Sequence, residues 1–402
     1  MKTNWQTKKL GEICEVFDDG DWIEKKDQSL NGIRLIQTGN VGNGIFKDRI
    51  EKARYISEKT FKRLQCTEII PGDCLVSRLP DPVGRSCIIP DKDDKMITAV
   101  DCTIIRFKKR VILPELFIKF SLSQEYQAQI NKEVGGATRQ RISRKKLDQI
   151  EIPLPPISEQ KRIIKILDSI FEKIDKAIKN TNKNLNKSKE LFESYLNYTL
   201  NNPEKDWVEE KLKDIGQTQT GSTPKTSNND LYGNFIPFIK PADINIKGEG
   251  SIRYDNEGLS KKGLMAGRKI DKNSILMVCI GATIGKVGFS NKPVCCNQQI
   301  NTLTPKSKCK QKIFYYILST KSFINKVILE SSQATLPIIN KSKWENLSVI
   351  FPKSPAKQKL IVSKIEELSS KTNEIEMIYK QKLVDLEELK KSILKRAFNG
   401  KI

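Results

Sequence analysis

The chain repeats itself, and this constrains its fold more than any other feature. Trp5 with the following KKLGEI returns as Trp207 with EEKLKDI, and Val83-Gly84-Arg85 returns as Ile284-Gly285-Lys286. Ala137-Thr138 returns as Ala334-Thr335, and Gln160-Lys161 as Gln358-Lys359. LFESYLNYTLNN at 191–202 returns as LKKSILKRAFNG at 389–400. The order is preserved and the spacing drifts only between 202 and 197 residues, which marks a tandem duplication with halves 1–202 and 203–402.

Each half has two parts. The first mixes short apolar runs with Gly, Pro, Asn and Asp: IRLIQTG, GDCLVSRL, SCIIP and DCTIIRF, then FIPFIK, SILMVCIGA and NTLTP. Such runs read as strands joined by turns. With helical stretches around 112–133 and 310–330, they predict an α/β (α+β) globule over 1–155 and another over 204–352. The second part begins at a proline break, in LPPISEQKRIIKIL at 154–167 and FPKSPAKQKLIVSKI at 351–365. Pro155 and Pro156 fit neither a helix interior nor a central strand. Ser158 is the expected N-cap, Glu159 suits the positive first turn, and Lys161 stands where a capping box would want Glu.

Long helices follow, over 156–203 and 353–402. Ile163, Leu167, Ile170 and Ile174 form the stripe of the first, continuing less regularly through Leu185, Phe192 and Leu196. In the second, Ile361, Leu368, Ile375 and Leu389 form one heptad position, and Ile365, Tyr379, Leu386 and Ile393 the other. Two matched stripes with 3-4 spacing predict that these helices pair with each other as a coiled coil.

The charge and the missing residue types narrow the function. With 71 Lys and Arg against 48 Asp and Glu the formal charge is +23, which favours a polyanionic partner. There is no histidine, so Ser-His-Asp and Cys-His catalysis and His-ligated zinc are excluded. The nine cysteines contain no Cys-x-x-Cys pair and read as buried free thiols, leaving no metal site. No signal core and no run of 18 apolar residues occurs, so a reduced, cytoplasmic chain without a membrane span is expected.

The Trp-x-x-x-x-Leu-x-x-Ile openings (Trp5, Leu10, Ile13; Trp207, Leu212, Ile215), the GSTP turn at 221–224, PFIKPADI at 237–244, the Ala-Thr pairs and LPPISEQKRI carry a resemblance. In this order, and duplicated, they resemble the specificity subunits of type I restriction–modification systems over the whole chain. The second exit departs from the pattern, with Lys357 in place of Glu. The resemblance implies that each globule is a target recognition domain reading one half of a split double-stranded DNA site. It implies that the helices pair antiparallel and fix the half-site spacing. Two methyltransferase subunits bringing S-adenosylmethionine, and two restriction subunits using ATP and Mg²⁺, would dock on the chain, which itself would hold no cofactor. Two heads on a helical rod suit half-sites about one DNA turn, ~34 Å, apart.

Base readers would come from polar turns, where Arg favours guanine and Asn or Gln favours adenine. In the first half these are Arg34, Gln37, Thr38, Asn40, Arg78, Arg85, Thr138, Arg139 and Arg141. In the second they are Ser222, Thr223, Lys225, Lys240, Lys286, Asn297, Gln298 and Thr335. Each also fits a solvated turn or an internal hydrogen bond. GATIGKVG falls one residue short of a phosphate loop, and no Asn-Pro-Pro-Tyr-like methyltransferase motif or nuclease core stands out, so no catalytic residue is assigned. The competing readings are a standalone DNA-acting nuclease or methyltransferase with a diverged centre, and a basic coiled-coil scaffold for RNA or membrane surfaces.

Overall fold

The computed structural model describes residues 5–92, 94–136, 139–245, 250–306, 311–332 and 336–402. Two units emerge, Met1–Asn182 with Lys380–Ile402, and Lys183–Tyr379. Each contains one globule and part of each long helix, Ile157–Asn201 and Pro355–Phe398.

Both globules are built on the same four-stranded antiparallel sheet. In the first unit its order is Cys14–Asp19, Cys102–Phe107, Cys74–Ser77, Ser86–Ile88. In the second it is Gly216–Thr220, Ile300–Pro305, Ser274–Val278, Val287–Ser290. The central strands read as continuous apolar runs because both their faces are covered. Cys74 and Val76 enter a core with the helices Pro114–Ser121 and Gln124–Glu133, while Leu75 enters a second core behind the sheet. Ile275 and Met277 against Leu276 and Val278 do the same in the second unit.

A second sheet lies behind each. In the first unit Ile33–Ile36 runs parallel to Met96–Thr98 within five strands; in the second, Tyr232–Ile239 runs parallel to Cys295–Cys296 within three. Finally, the first and last strands of each globule pair with each other, Gln6–Lys9 with Glu151–Leu154 and Trp207–Lys211 with Ser348–Pro352. That pairing brings the chain back to its starting point, where the long helix begins.

The helix starts are fixed by a glutamine. Gln160 is fully buried; its Oε1 accepts from Leu113 N at 2.8 Å, and its Nε2 donates to Val111 O at 2.9 Å and Pro155 O at 2.8 Å. Gln358, also buried, donates from Nε2 to Pro352 O at 2.8 Å. The repeated Gln-Lys thus ties each helix to the globule before it. Ser158 is not the N-cap: the helix already includes Ile157, because Pro156 O accepts from Gln160 N at 2.9 Å. In the second exit the helix begins at Pro355, and Lys357 bridges Glu204 at 2.7 Å and Asp206 at 2.8 Å.

The long helices pair antiparallel. In the first unit Ile163, Leu167 and Phe171 share a core with Leu394, Ala397 and Phe398. In the second, Leu196 and Leu200 share one with Ile361, Val362 and Ile365. The seam differs from its reading in the sequence. Ile174 is buried and Ile170 half-buried, as are Leu368, Tyr379, Leu386 and Ile393, but Ile375 and Leu389 face outward. The heptad position read through Ile361, Leu368, Ile375 and Leu389 runs one residue later, through Val362, Ser369, Leu383 and Ala397, and Thr181, Ser188 and Thr372 are also buried. Small polar side chains occupy core positions here; Thr372 Oγ1 donates to Leu368 O at 3.0 Å, which satisfies its buried hydroxyl.

Candidate nucleic-acid interface

In the second unit, turns far apart in sequence meet at one corner. Gly221 N donates to Ile300 O at 3.0 Å and Ser222 N to Cys296 O at 2.9 Å, laying the GSTP turn against the CCNQQ segment. Only glycine fits at 221, since a Cβ would lie 2.2 Å from Asn297 O and 2.3 Å from Cys296 O. Thr223 Oγ1 then donates to Gln298 Oε1 across an exposed surface. The parallel pairing of Ile239 with Cys296 brings in Lys240, which pairs with Glu257. Asp243 Oδ2 accepts from Lys240 N at 3.0 Å and fixes that turn.

Four of the expected readers, Ser222, Thr223, Lys240 and Gln298, therefore converge. Asn297 is buried instead, its Nδ2 donating to Gln299 Oε1 at 2.9 Å, and it shapes the turn. Ser222 Oγ is buried without a hydrogen-bond partner among the described residues. Lys225 is exposed one residue beyond the GSTP turn.

The first unit has the same corner with different side chains. Gly20 N donates to Cys102 O at 2.9 Å, Asp21 N to Thr98 O at 2.8 Å and Ala99 N to Ile36 O at 2.9 Å. A Cβ on Gly20 would lie 2.4 Å from the carbonyl oxygens of both Thr98 and Ala99. Gly20-Asp21-Trp22 hence stands where Gly221-Ser222-Thr223 stands, and Gln37, whose N donates to Asn40 Oδ1 at 3.0 Å, stands where Lys240 does. Asp21 and Trp22 were missed in the sequence, although the 201-residue offset of Val83 from Ile284 also carries Gly20 onto Gly221. Asp21 Oδ2 accepts from Thr67 N at 3.1 Å, and burial still raises its carboxyl above the usual range.

Several basic candidates turn inward. Arg85 is buried, with Nε on Val41 O at 2.7 Å, Nη1 on Leu79 O at 2.6 Å and Pro82 O at 3.0 Å, and Nη2 on Thr38 O at 2.8 Å. Thr38 thus contributes a carbonyl to that cluster. Arg78 donates to Val100 O at 2.5 Å and lies 3.2 Å from Asp19, whose carboxyl burial raises more than Arg78 lowers it. Arg34 pairs with Asp48 at 2.5 Å, and Asn40 Nδ2 donates to Lys47 O at 2.8 Å and Asp48 O at 3.0 Å. A guanidinium offers five donors, enough to gather the carbonyls that a loop leaves unpaired. These side chains build the loops instead of standing free on the surface.

Other basic groups do reach solvent. Gln37, Asn40, Arg49, Lys52 and Arg54 line a hollow. Arg139 and Arg141 are exposed, Arg141 lying 3.6 Å from Asp101, and the Gly135–Arg141 bridge pinches off their loop. A Ser332–Ile338 bridge does the same in the second unit; Thr138 and Thr335 lie outside the described residues. Lys286 is half-buried at a hairpin turn, between the strands Ser274–Val278 and Val287–Ser290. The preceding Gly285 (φ +90°) packs on Ile324, as Gly84 (φ +83°) packs on Ile130, so GATIGKVG is a packed hairpin. Among the described residues no group of His, Cys, Asp and Glu could hold a metal ion, and no helix is long and apolar enough to cross a membrane.

Two copies of one architecture with variable corners agree with a comparison to known families. The type I restriction modification DNA specificity domain matches residues 2–187 and again residues 204–385. The chain belongs to that family. Among its relatives is the specificity subunit of the type I restriction enzyme HindI from Haemophilus influenzae, 31% identical over 201 residues. That match spans 49% of this chain and 42% of the relative. The StySPI specificity subunit from Salmonella potsdam is 23% identical over 416 residues, covering 94% of this chain and 85% of its own length. In fold the chain resembles an HsdS subunit from Thermoanaerobacter tengcongensis, with a TM-score of 0.61 at 17% identity over 100% of this chain and 98% of that one. A chain solved in a study of assembly of the type I R-M system gives a TM-score of 0.82, also at 17% identity, with 100% of each chain covered.

Proposed function

We propose that this chain reads an asymmetric, bipartite duplex DNA site, one half with each unit, and carries no methyl-transfer or cleavage chemistry of its own. The observation that supports this most directly is the shared corner: one backbone arrangement presents Trp22 and Gln37 in one unit and Thr223 and Lys240 in the other. A common scaffold with different side chains is what reading two different half-sites requires. The antiparallel helix pair fixes the spacing of the half-sites and holds two methyltransferase subunits, which bring S-adenosylmethionine. Two restriction subunits bring ATP and Mg²⁺. Exposed Lys225, Arg139 and Arg141 contact phosphates, and Gln298, oriented by Thr223, reads a base edge.

The test is co-expression with the methyltransferase subunit, followed by single-molecule sequencing of host DNA. The expected result is adenine methylation within one split, non-palindromic motif, and none from the purified chain alone. Methylation without a split motif, or turnover by the isolated chain, would overturn the reading.

A further inference from the structure

Trp22 is 71% exposed, and the residues on either side of it are held in place. On one side Asp21 donates from N to Thr98 O at 2.8 Å and accepts at O from Val100 N at 3.0 Å. On the other, Ile23 packs against the core of Ile33, Leu35, Ile56, Cys66 and Ile97. An indole held out from a fixed backbone exposes a large apolar face at little further entropic cost on binding, which is the usual character of an interface anchor. The nearby Glu24 is paired with Lys26 at 2.7 Å, and the Asp21 carboxylate with Thr67 N at 3.1 Å, so neither charge stands free beside the indole. An indole carries no charge to pair with a phosphate, and its apolar face suits a base better than the backbone.

The second unit supplies the contrast. The equivalent position is Thr223, whose hydroxyl is turned to Gln298 and which offers no apolar face of comparable size. We infer that Trp22 is a specificity-determining residue of the first unit, its indole packing against a base of the first half-site in the DNA groove. This rests on the DNA-reading function proposed above. An apolar contact of this type selects a base through a methyl group or an unstacked face, and its loss is felt at one position of the motif.

The experiment compares wild type, Trp22→Ala, Trp22→Phe and, as a control, Leu30→Ala, each in complex with the methyltransferase subunit. Leu30 is 98% exposed in the same unit and lies outside the corner. Motifs are mapped by single-molecule sequencing, and affinity for the wild-type motif is measured between about 50 and 200 mM salt. Trp22→Ala is expected to lower affinity about ten-fold and relax one position of the first half-site, leaving the second intact. Trp22→Phe recovers part of the loss, and Leu30→Ala matches wild type. The slope of log affinity against log salt should stay unchanged, because no phosphate contact is removed.

Unaltered motif and affinity in Trp22→Ala would overturn the inference while leaving the general reading in place; so would a loss accompanied by a shallower salt slope. If wild type itself gives no split motif, the DNA-reading function fails first.

Discussion

At the residue scale, two positions matched by the repeat do different work. Arg85 gathers four backbone carbonyls inside the first globule, whereas Lys286 sits half-buried on its hairpin with no carboxylate partner among the described residues. Removing the guanidinium strands buried acceptors, each costing about 1–3 kcal/mol if water cannot replace the donor. Arg85→Met should therefore lower stability by about 2–4 kcal/mol, while Lys286→Ala should stay within about 0.5 kcal/mol, both read from urea unfolding. Equal effects would show that the four carbonyls do not depend on Arg85. The sequence could not separate these cases: an arginine in a Gly- and Pro-rich turn has the same surroundings in the chain whether it points in or out.

At the element scale, the joint between globule and helix rests on Gln160. Its three hydrogen bonds tie the first helical turn to Val111, Leu113 and Pro155, so Gln160→Leu should destabilise the first unit by about 2–4 kcal/mol. Hydrogen exchange should show the loss as faster opening of Ile157–Ile164; unchanged protection there would argue against the tie. The seam gives a second test. Ile365 is fully buried and Ile375 is 40% exposed, so Ile365→Ala should cost about 2–4 kcal/mol and Ile375→Ser less than about 0.5. Apolar spacing located the two helices and their partnership, but chose the wrong residue at one heptad position. Ser188 and Thr372 look like surface residues in a sequence, yet they are buried because helix pairing tolerates small polar groups that bond to their own backbone.

At the scale of the whole molecule, the buried thiols set an alkaline limit. Burial pushes Cys87, Cys102, Cys279 and Cys296 up to about 12, from an ordinary value of 9.0. The folded chain keeps these protons where the unfolded chain releases them, so stability falls as pH rises above about 9 and is intact below it. The urea midpoint should drop between pH 8 and 10.5, and alkylation at pH 8.5 should spare these four thiols until denaturant is added. Rapid native labelling, mapped by mass spectrometry, would contradict their burial. Cys309 lies outside the described residues.

The sequence by itself determined the duplication, the alternation of α/β globule and long helix, and the membership of the family. These follow from periodic and ordered signals, which survive in one dimension because each element reports its own spacing. Only the tertiary structure decided which polar side chains reach the surface. Gly221 is squeezed against Asn297, Gly20 against Ala99, and Arg85 reaches from one loop to carbonyls of another. Such relations depend on chain segments some forty to eighty residues apart being pressed together, and no local pattern encodes them. Trp22 takes its place at the corner only when Gly20 folds onto its sheet, with Gly20 N on Cys102 O at 2.9 Å.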